Sequence, residues 1–169
     1  MSEPANIESL CLDCSFCCNG VLFSDASLTQ DEVEFLTEAK FPLVERDGAV
    51  HLHQPCIALK GTCCSIYQQR PSRCRSYECE LLKSATAGST SWTEAHEIIA
   101  QVKELIVEID NILKEVPDDS SAKPLNRRLT RASEILREQT DPTSRKHSGQ
   151  LTYAGMKLRR LLNKHFLKL

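Results

Sequence analysis

The sequence predicts an α+β protein, in which a small, irregular cysteine domain with a short hairpin (residues 8–85) precedes a mainly α-helical region (residues 91–169). All nine cysteines of the 169-residue chain lie in the first of these regions. Within it, Asp47-Gly48 separates two short alternating segments, which is the strongest short-range signal for a hairpin. In the second region, apolar residues recur at spacings of three and four, as they do along one face of a helix.

Composition and the first residues narrow the class of protein. An apolar content of 41% and a charged content of 26% are typical of a soluble globular protein. No run of about 18 uncharged apolar residues is present, so we expect no transmembrane segment. The opening MSEPANIESL has neither a basic nor an apolar region, which predicts no secretory signal and a cytoplasmic location. Because the cytoplasm is reducing, clustered thiols there favour metal binding or catalysis over disulfides.

The first cysteine block is Cys11-x-x-Cys14-x-x-Cys17-Cys18, and Asn19-Gly20 after it predicts that the block closes in a tight turn. A short strand is expected at 21–23. A helix is expected from SLTQDEVEFL, with Ser27 or Thr29 as its N-cap. The side chains expected to face inward are Val33, Phe35 and Leu36.

The rest of the cysteine domain has little periodicity. The predicted hairpin would return Cys56 toward the first cysteine block. From there to Leu82 the sequence predicts short turns, with one helical turn around Arg70-Pro71. Such segments bury too little apolar surface to offset their chain entropy, so we expect bound metal to order them. The small, polar residues 83–91 are interpreted as a linker.

Three helices are expected after the linker, folded back as a helical hairpin or as a three-helix arrangement. The first would begin with a capping box at Ser91 and Glu94 and stop at Pro117. The second would cover roughly 121–139, and the third would begin at about 149. The apolar positions expected to line their inner faces are Ala95, Ile98, Val102, Leu105, Ile109, Ile112, Val116, Leu125, Leu129, Ala132, Leu136, Leu151, Ala154, Leu158, Leu161 or Leu162, and His165.

The cysteine spacing predicts a metal centre. Thiolates bind zinc in tetrahedral sites and iron in iron-sulfur clusters, and Cys-x-x-Cys turns direct two sulfurs at one atom. In the first block, Cys11, Cys14 and Cys17 would supply three ligands from one loop. This tandem spacing is closer to an iron-sulfur run than to a zinc ribbon, which uses two separated pairs. We therefore expect an iron-sulfur cluster in preference to zinc. Nine cysteines leave one over from two sites of four, and the number of centres stays open.

Both cysteine blocks carry a family resemblance. The first block, followed by CIALKGTCCSIYQQRPSRCRSYEC, resembles the CxxCxxCC family of YkgJ-like cysteine-cluster proteins, described as zinc- or iron-chelating domains. The resemblance covers residues 11–82 and includes Leu59, Ile66-Tyr67, Arg70-Pro71 and Arg75. The metal ligands that it implies are Cys11, Cys14, Cys17, Cys18, Cys56, Cys64, Cys74 and Cys79. Cys63 departs from the family pattern and has no assigned role.

Three functions are consistent with these features. The first is metal binding by the eight cysteines. The second follows from the resemblance, since the same domain occurs in flagellin lysine N-methylase, although the chain shows no glycine-rich loop for S-adenosylmethionine. The third is a zinc-structured interaction module whose basic helices form the partner surface. Whether the protein is an enzyme stays open.

Other candidate residues surround the second block. Arg75 directly follows Cys74, and its guanidinium could offset the negative charge of a thiolate-ligated metal centre. His51 and His53 alternate on the second hairpin strand, so both would face one side. Imidazole could replace a thiolate at zinc or iron, but a partly exposed strand histidine is the commoner case.

The charge of the helical region differs from that of the whole chain. Residues 123–169 contain twelve Lys or Arg and three acidic residues, whereas the chain has a net charge of -2. Such a basic region suits an acidic partner protein or nucleic acid. The alternative is an ordinary solvated helix face, which is the more frequent case. The sequence leaves the oligomeric state open.

Overall fold

The computed structural model describes residues 7–117 and 119–167. Their α-helices and small antiparallel sheets confirm the α+β class and the helical C-terminal region. The α-helices are α1 (Ile7–Cys14), α2 (Gln30–Glu38), α3 (Ser72–Ser76), α4 (Glu80–Thr86), α5 (Trp92–Leu113), α6 (Leu125–Glu138) and α7 (Pro142–His165). The strands are β1 (Asp25–Ser27), β2 (Leu43–Arg46), β3 (Ala49–His53), β4 (Leu59–Lys60) and β5 (Cys63–Cys64).

The chain forms two compact units that interleave along the sequence. Of the described residues, the helical unit contains 7–14, 78–117, 119–120 and 127–167. The sheet unit contains residues 15–77 and 121–126. The sequence instead predicts a single division of the chain, near residue 90. Whether residues 8–85 and 91–169 are separate domains stays a prediction.

Helix α5 is central to the helical unit and packs against α1, α4 and α7. It begins as predicted, because the Ser91 hydroxyl accepts the backbone N–H of Glu94 at 3.1 Å. The expected apolar stripe is confirmed, and Ala95, Val102 and Ile109 are fully buried. Burial of this face against three neighbouring helices stabilises the unit through the hydrophobic effect.

Several helix boundaries differ from expectation: α5 ends at Leu113 rather than at Pro117, α6 begins at Leu125 rather than near residue 121, and the start of α7 and the end of α4 also differ. Helix α7 begins at Pro142 and not near residue 149, since Asp141 caps it by accepting the Ser144 N–H at 3.0 Å. Proline suits the first helical position, where its missing N–H costs no hydrogen bond. Helix α4 extends to Thr86, into the predicted linker, because Leu81, Leu82 and Ala85 bury one face.

The predicted hairpin is confirmed in the sheet unit. Strands β2 and β3 are joined by Asp47 and Gly48, whose φ values of 52° and 76° fit a two-residue hairpin turn. Strand β1 pairs with the other edge of β3, which gives the order β1-β3-β2. The prediction of a strand at 21–23 is wrong. That segment turns back, and the Leu22 N–H donates to the Phe16 carbonyl at 3.0 Å.

Helix α2 begins after Thr29, one of the two predicted caps. Leu36 is fully buried as expected, whereas Phe35 is 41% exposed and that expectation is wrong. Adjacent residues differ by about 100° around a helix, so Phe35 cannot share the narrow buried face of Leu36. The Glu32 carboxylate accepts the N–H of Thr29 at 2.9 Å and that of Ser72 at 2.6 Å. It therefore links α2 to the start of α3.

Replacing Glu32 with glutamine is expected to lower the free energy of unfolding by about 1 kcal/mol at neutral pH. Burial raises the pKa of Glu32, but the hydrogen bonds from the N–H groups of Ser72 and Thr29 lower it by more. The pKa in the folded state therefore lies below its usual 4.5. The stabilisation is therefore present above about pH 4.5 and is lost as the pH falls through the folded pKa. Urea unfolding at several pH values measures it.

The matched control is Glu34→Gln, an exposed position on the same helix. The difference between wild type and Glu32→Gln should shrink in acid, while Glu34→Gln should behave as wild type at every pH. A constant difference from pH 3 to 7 would contradict the assigned role.

Candidate metal centre

The candidate ligands are distributed between the two units. The sheet unit contains Cys17, Cys18, Cys56, Cys64 and Cys74, together with Cys63, and the helical unit contains Cys11, Cys14 and Cys79. Cys11 and Cys63 are exposed, whereas the other seven side chains are half-buried.

Backbone contacts in the sheet unit bring Cys18 beside Cys56. The Cys56 N–H donates to the Cys18 carbonyl at 2.8 Å. Gly20, two residues on, has a φ of +80°, and a Cβ there would lie 3.3 Å from the Pro55 ring. Glycine is therefore required both for the backbone conformation and for the close approach of the two loops.

A small hairpin places Cys64 close to Cys56. Leu59 on β4 is the register partner of Cys64 on β5. The Cys56 sulfur accepts the backbone N–H groups of Ala58 and Leu59, the two residues at the start of this hairpin. Hydrogen bonds of this kind favour a thiolate, which is the form of cysteine that binds metal.

The charges of three thiols interact in this unit. Burial, together with the neighbouring sulfurs of Cys56 and Cys64, raises the pKa of Cys74 to about 11, although the charge of Arg70 opposes the rise. Burial and then Cys64 also raise the pKa of Cys56, against the effect of its two N–H donors. Three half-buried sulfurs that repel one another as thiolates would be stabilised by a cation, which displaces their protons.

The donor set fits zinc or iron. Thiolate sulfur is the preferred donor for both zinc sites and iron-sulfur clusters. Over residues 7–117 and 119–167, no three Cys, His, Asp or Glu side chains lie in ready ligand positions around one point. The fit therefore rests on the chemistry of Cys56, Cys64 and Cys74 and on their mutual electrostatic effect.

The positive charge of Arg70 opposes the rise in the pKa of Cys74, one of these three thiols. Its guanidinium lies over the Tyr67 ring at 3.9 Å from the ring centroid. Its Nε is buried and has no hydrogen-bond partner among the described residues. Arg75 is exposed, and its expected role beside the metal stays a prediction. The spacing of three residues between Tyr67 and Arg70 is the sequence feature that could have indicated this stacked pair.

The first cysteine block is not one loop, and that expectation is wrong. Cys11 and Cys14 lie on α1, where a spacing of three places them on the same face one turn apart. Cys79 is the N-cap of α4, and its sulfur accepts the Leu82 N–H at 3.4 Å. Burial raises the pKa of Cys79, although the N–H groups of Leu82 and Leu81 oppose the rise.

A polar contact fixes α1 against α5. The Asp13 carboxylate accepts the Lys103 ammonium at 2.5 Å and lies 2.8 Å from Nδ1 of His96. His96 and Lys103 are seven residues apart, so they occupy one face of α5. Asp13 lies between Cys11 and Cys14, and the contact therefore positions the helix that carries both thiols. Sequence reasoning missed this group, since the partners are more than 80 residues apart.

His51 has a charged neighbour in the sheet. Its Nδ1 lies 3.0 Å from the Asp25 carboxylate, which also pairs with Arg46 at 2.7 Å. The His51–Asp25 contact has the distance of an ion pair without the alignment of a hydrogen bond. His53 is the register partner of Asp25. It lies two residues from His51 on the same strand and so faces the same side of the sheet. Replacement of a thiolate by either histidine stays a prediction.

These features define a small cysteine-cluster protein with an appended helical region. A family model matches residues 10–101, more than half of the chain, and the protein belongs to the CxxCxxCC family, a domain proposed to chelate zinc or iron. The resemblance deduced from the cysteine motifs is thereby confirmed. No curated protein and no solved structure gives a significant match. In the described part of the chain, no helix is long and apolar enough to cross a membrane.

Proposed function

We propose that the protein uses its cysteine thiolates to bind a metal centre, with an iron-sulfur cluster as the first candidate and zinc as the second. The grouping of half-buried Cys56, Cys64 and Cys74 in the sheet unit carries this proposal. The order of the two candidates follows from the sequence, in which the tandem spacing of the first block is closer to an iron-sulfur run than to a zinc ribbon, although Cys11 and Cys14 lie on α1 and not in one loop with Cys17. The full ligand set proposed from the family is Cys11, Cys14, Cys17, Cys18, Cys56, Cys64, Cys74 and Cys79.

Residues of the sheet unit have distinct parts in this proposal. Cys56, Cys64 and Cys74 would hold the metal, and the N–H groups of Ala58 and Leu59 orient the Cys56 sulfur and favour its thiolate form. The Arg70 charge offsets part of the negative charge that the thiolates bring together. Bound iron-sulfur would supply electron transfer, and bound zinc would supply structural stability.

Elemental analysis and an absorption spectrum of protein purified without oxygen test the proposal and its metal. An iron-sulfur protein would contain iron and acid-labile sulfide and would be coloured by thiolate-to-iron charge transfer. A zinc protein would contain zinc and no visible band. Protein with neither metal, even after reconstitution with each, would overturn the proposal.

Arg70→Gln is expected to weaken metal binding by about tenfold or more, as is usual for residues that support metal ligands. The reason is that Cys74 would lose the positive charge that opposes the rise of its pKa. Competition with a metal chelator of known affinity measures the effect. Arg75→Gln, compared in parallel, tests the role predicted for Arg75 from sequence. If Arg75→Gln alone weakened binding, the assignment of Arg70 would be wrong.

A further inference from the structure

Helix α7 carries positive charge without compensating negative charge. Its 24 residues include no Asp or Glu. The exposed cations of α7 are Arg145, Lys146, Lys157, Arg159, Arg160 and Lys164. In the part of the chain that the structure describes, no ion pair engages any of these six side chains. Their charge is therefore available to a partner.

The opposite face of α7 is already occupied. Leu151, Ala154, Leu158 and Leu162 are buried where α7 packs along α5. An amphipathic helix that binds a membrane inserts its apolar face into the lipid. Because the apolar face of α7 belongs to the core, only its charged face can meet a partner. This arrangement favours a hydrophilic polyanion over a lipid surface.

Two large side chains are exposed among the cations. Tyr153 is 63% exposed and Met156 is 68% exposed. The Lys157 ammonium lies 5.4 Å from the Tyr153 ring centroid. Residues 153, 157, 160 and 164 follow one another at spacings of three and four, so they lie on one face. The face combines an open aromatic ring with a row of cations.

We propose that this face of α7, defined as Lys146, Tyr153, Met156, Lys157, Arg160 and Lys164, binds the phosphate backbone of a single-stranded nucleic acid. From Lys146 to Lys164 the helix rises about 27 Å, which matches an extended row of phosphates better than a single anion. The Tyr153 ring has an open face on which a base can stack, as aromatic rings do in single-strand binding sites. This surface lies within the helical unit and does not depend on the proposed metal.

Fluorescence anisotropy with a labelled oligothymidylate of about 20 nucleotides tests the proposal on the full-length protein as purified. The logarithm of the affinity should fall linearly with the logarithm of salt concentration, by about 0.7 per phosphate contacted. The double variant Lys157→Gln/Arg160→Gln should reduce this slope by about 1.4. Tyr153→Ala should weaken binding about tenfold with the slope unchanged, since it removes stacking and no charge.

The matched control is Lys60→Gln/Lys114→Gln, which removes the same charge at positions outside α7. It should bind as wild type, and circular dichroism should show that all variants keep their helix content. The proposal is overturned if the protein does not bind the oligonucleotide, or if the control loses as much affinity as the α7 variant. Tighter binding to phosphatidylserine vesicles or to polyglutamate than to the oligonucleotide would also overturn it.

Discussion

Replacement of Cys74 with serine is expected to remove most of the bound metal and to destabilise the sheet unit by several kcal/mol. Cys74 lies on the short helix α3, and its charge interacts with those of both Cys56 and Cys64. A serine hydroxyl is a poor donor for zinc or iron, so the group would lose one of three central ligands. Metal stoichiometry and the melting temperature of the purified variant measure the effect.

Cys63→Ser is the matched control, because Cys63 is exposed and departs from the family pattern. It should keep the metal content and melting temperature of the wild type. Cys14→Ser, made in the same series, tests the thiols of the helical unit, and we expect it to lower metal content as well. If Cys74→Ser retained full metal stoichiometry and stability, the assignment of Cys56, Cys64 and Cys74 as ligands would be wrong.

Removal of the metal by a chelator is expected to unfold the sheet unit while α5 and α7 stay folded. Among the described residues, the buried hydrophobic side chains of the sheet unit are Phe16, Leu36, Leu52, Ala58 and Leu125. All the other buried hydrophobic side chains belong to the helical unit. So small an apolar core cannot offset the chain entropy of the sheet unit, and metal binding would supply the remaining free energy.

Amide hydrogen exchange of the metal-loaded and metal-free protein would measure this difference by segment. Protection in residues 56–76 should be lost on chelation, whereas protection in the middle of α5, around Val102 and Ile109, should persist. Restoring the metal should restore protection. Equal protection of residues 56–76 in both states would show that the sheet unit folds without metal.

The parts of the fold that local physics fixes could be predicted from the sequence. Asp47-Gly48 adopts positive φ at little cost and so sets the hairpin turn. Ser91 satisfies the N–H of Glu94 within one turn, which sets the start of α5. Hydrophobic periodicity then identified the buried face of α5. The family was also readable, because the cysteine spacing itself is the motif.

Elements that depend on distant partners could not be predicted. Helix α1 is held by the contact of Asp13 with α5, and no local pattern in the cysteine block indicates it. Strand β1 pairs with β3, a partner more than 20 residues away, and the segment before β1 turns back so that the Leu22 N–H bonds the Phe16 carbonyl. The start of α7 is a different case, because its cap is local: Asp141 accepts the Ser144 N–H and Pro142 suits the first helical position, but the same two residues also mark the end of α6.

The sequence by itself determined that the protein has a cysteine-cluster domain, a hairpin and amphipathic helices, since spacing and periodicity are local properties of the chain. Only the tertiary structure decided which thiols interact and that the charge of Arg70 acts on Cys74. It also decided that the cations of α7 face outward without acidic partners among the described residues. These properties depend on distances between residues far apart in the chain, and electrostatic interaction energies vary with distance and burial, not with sequence separation.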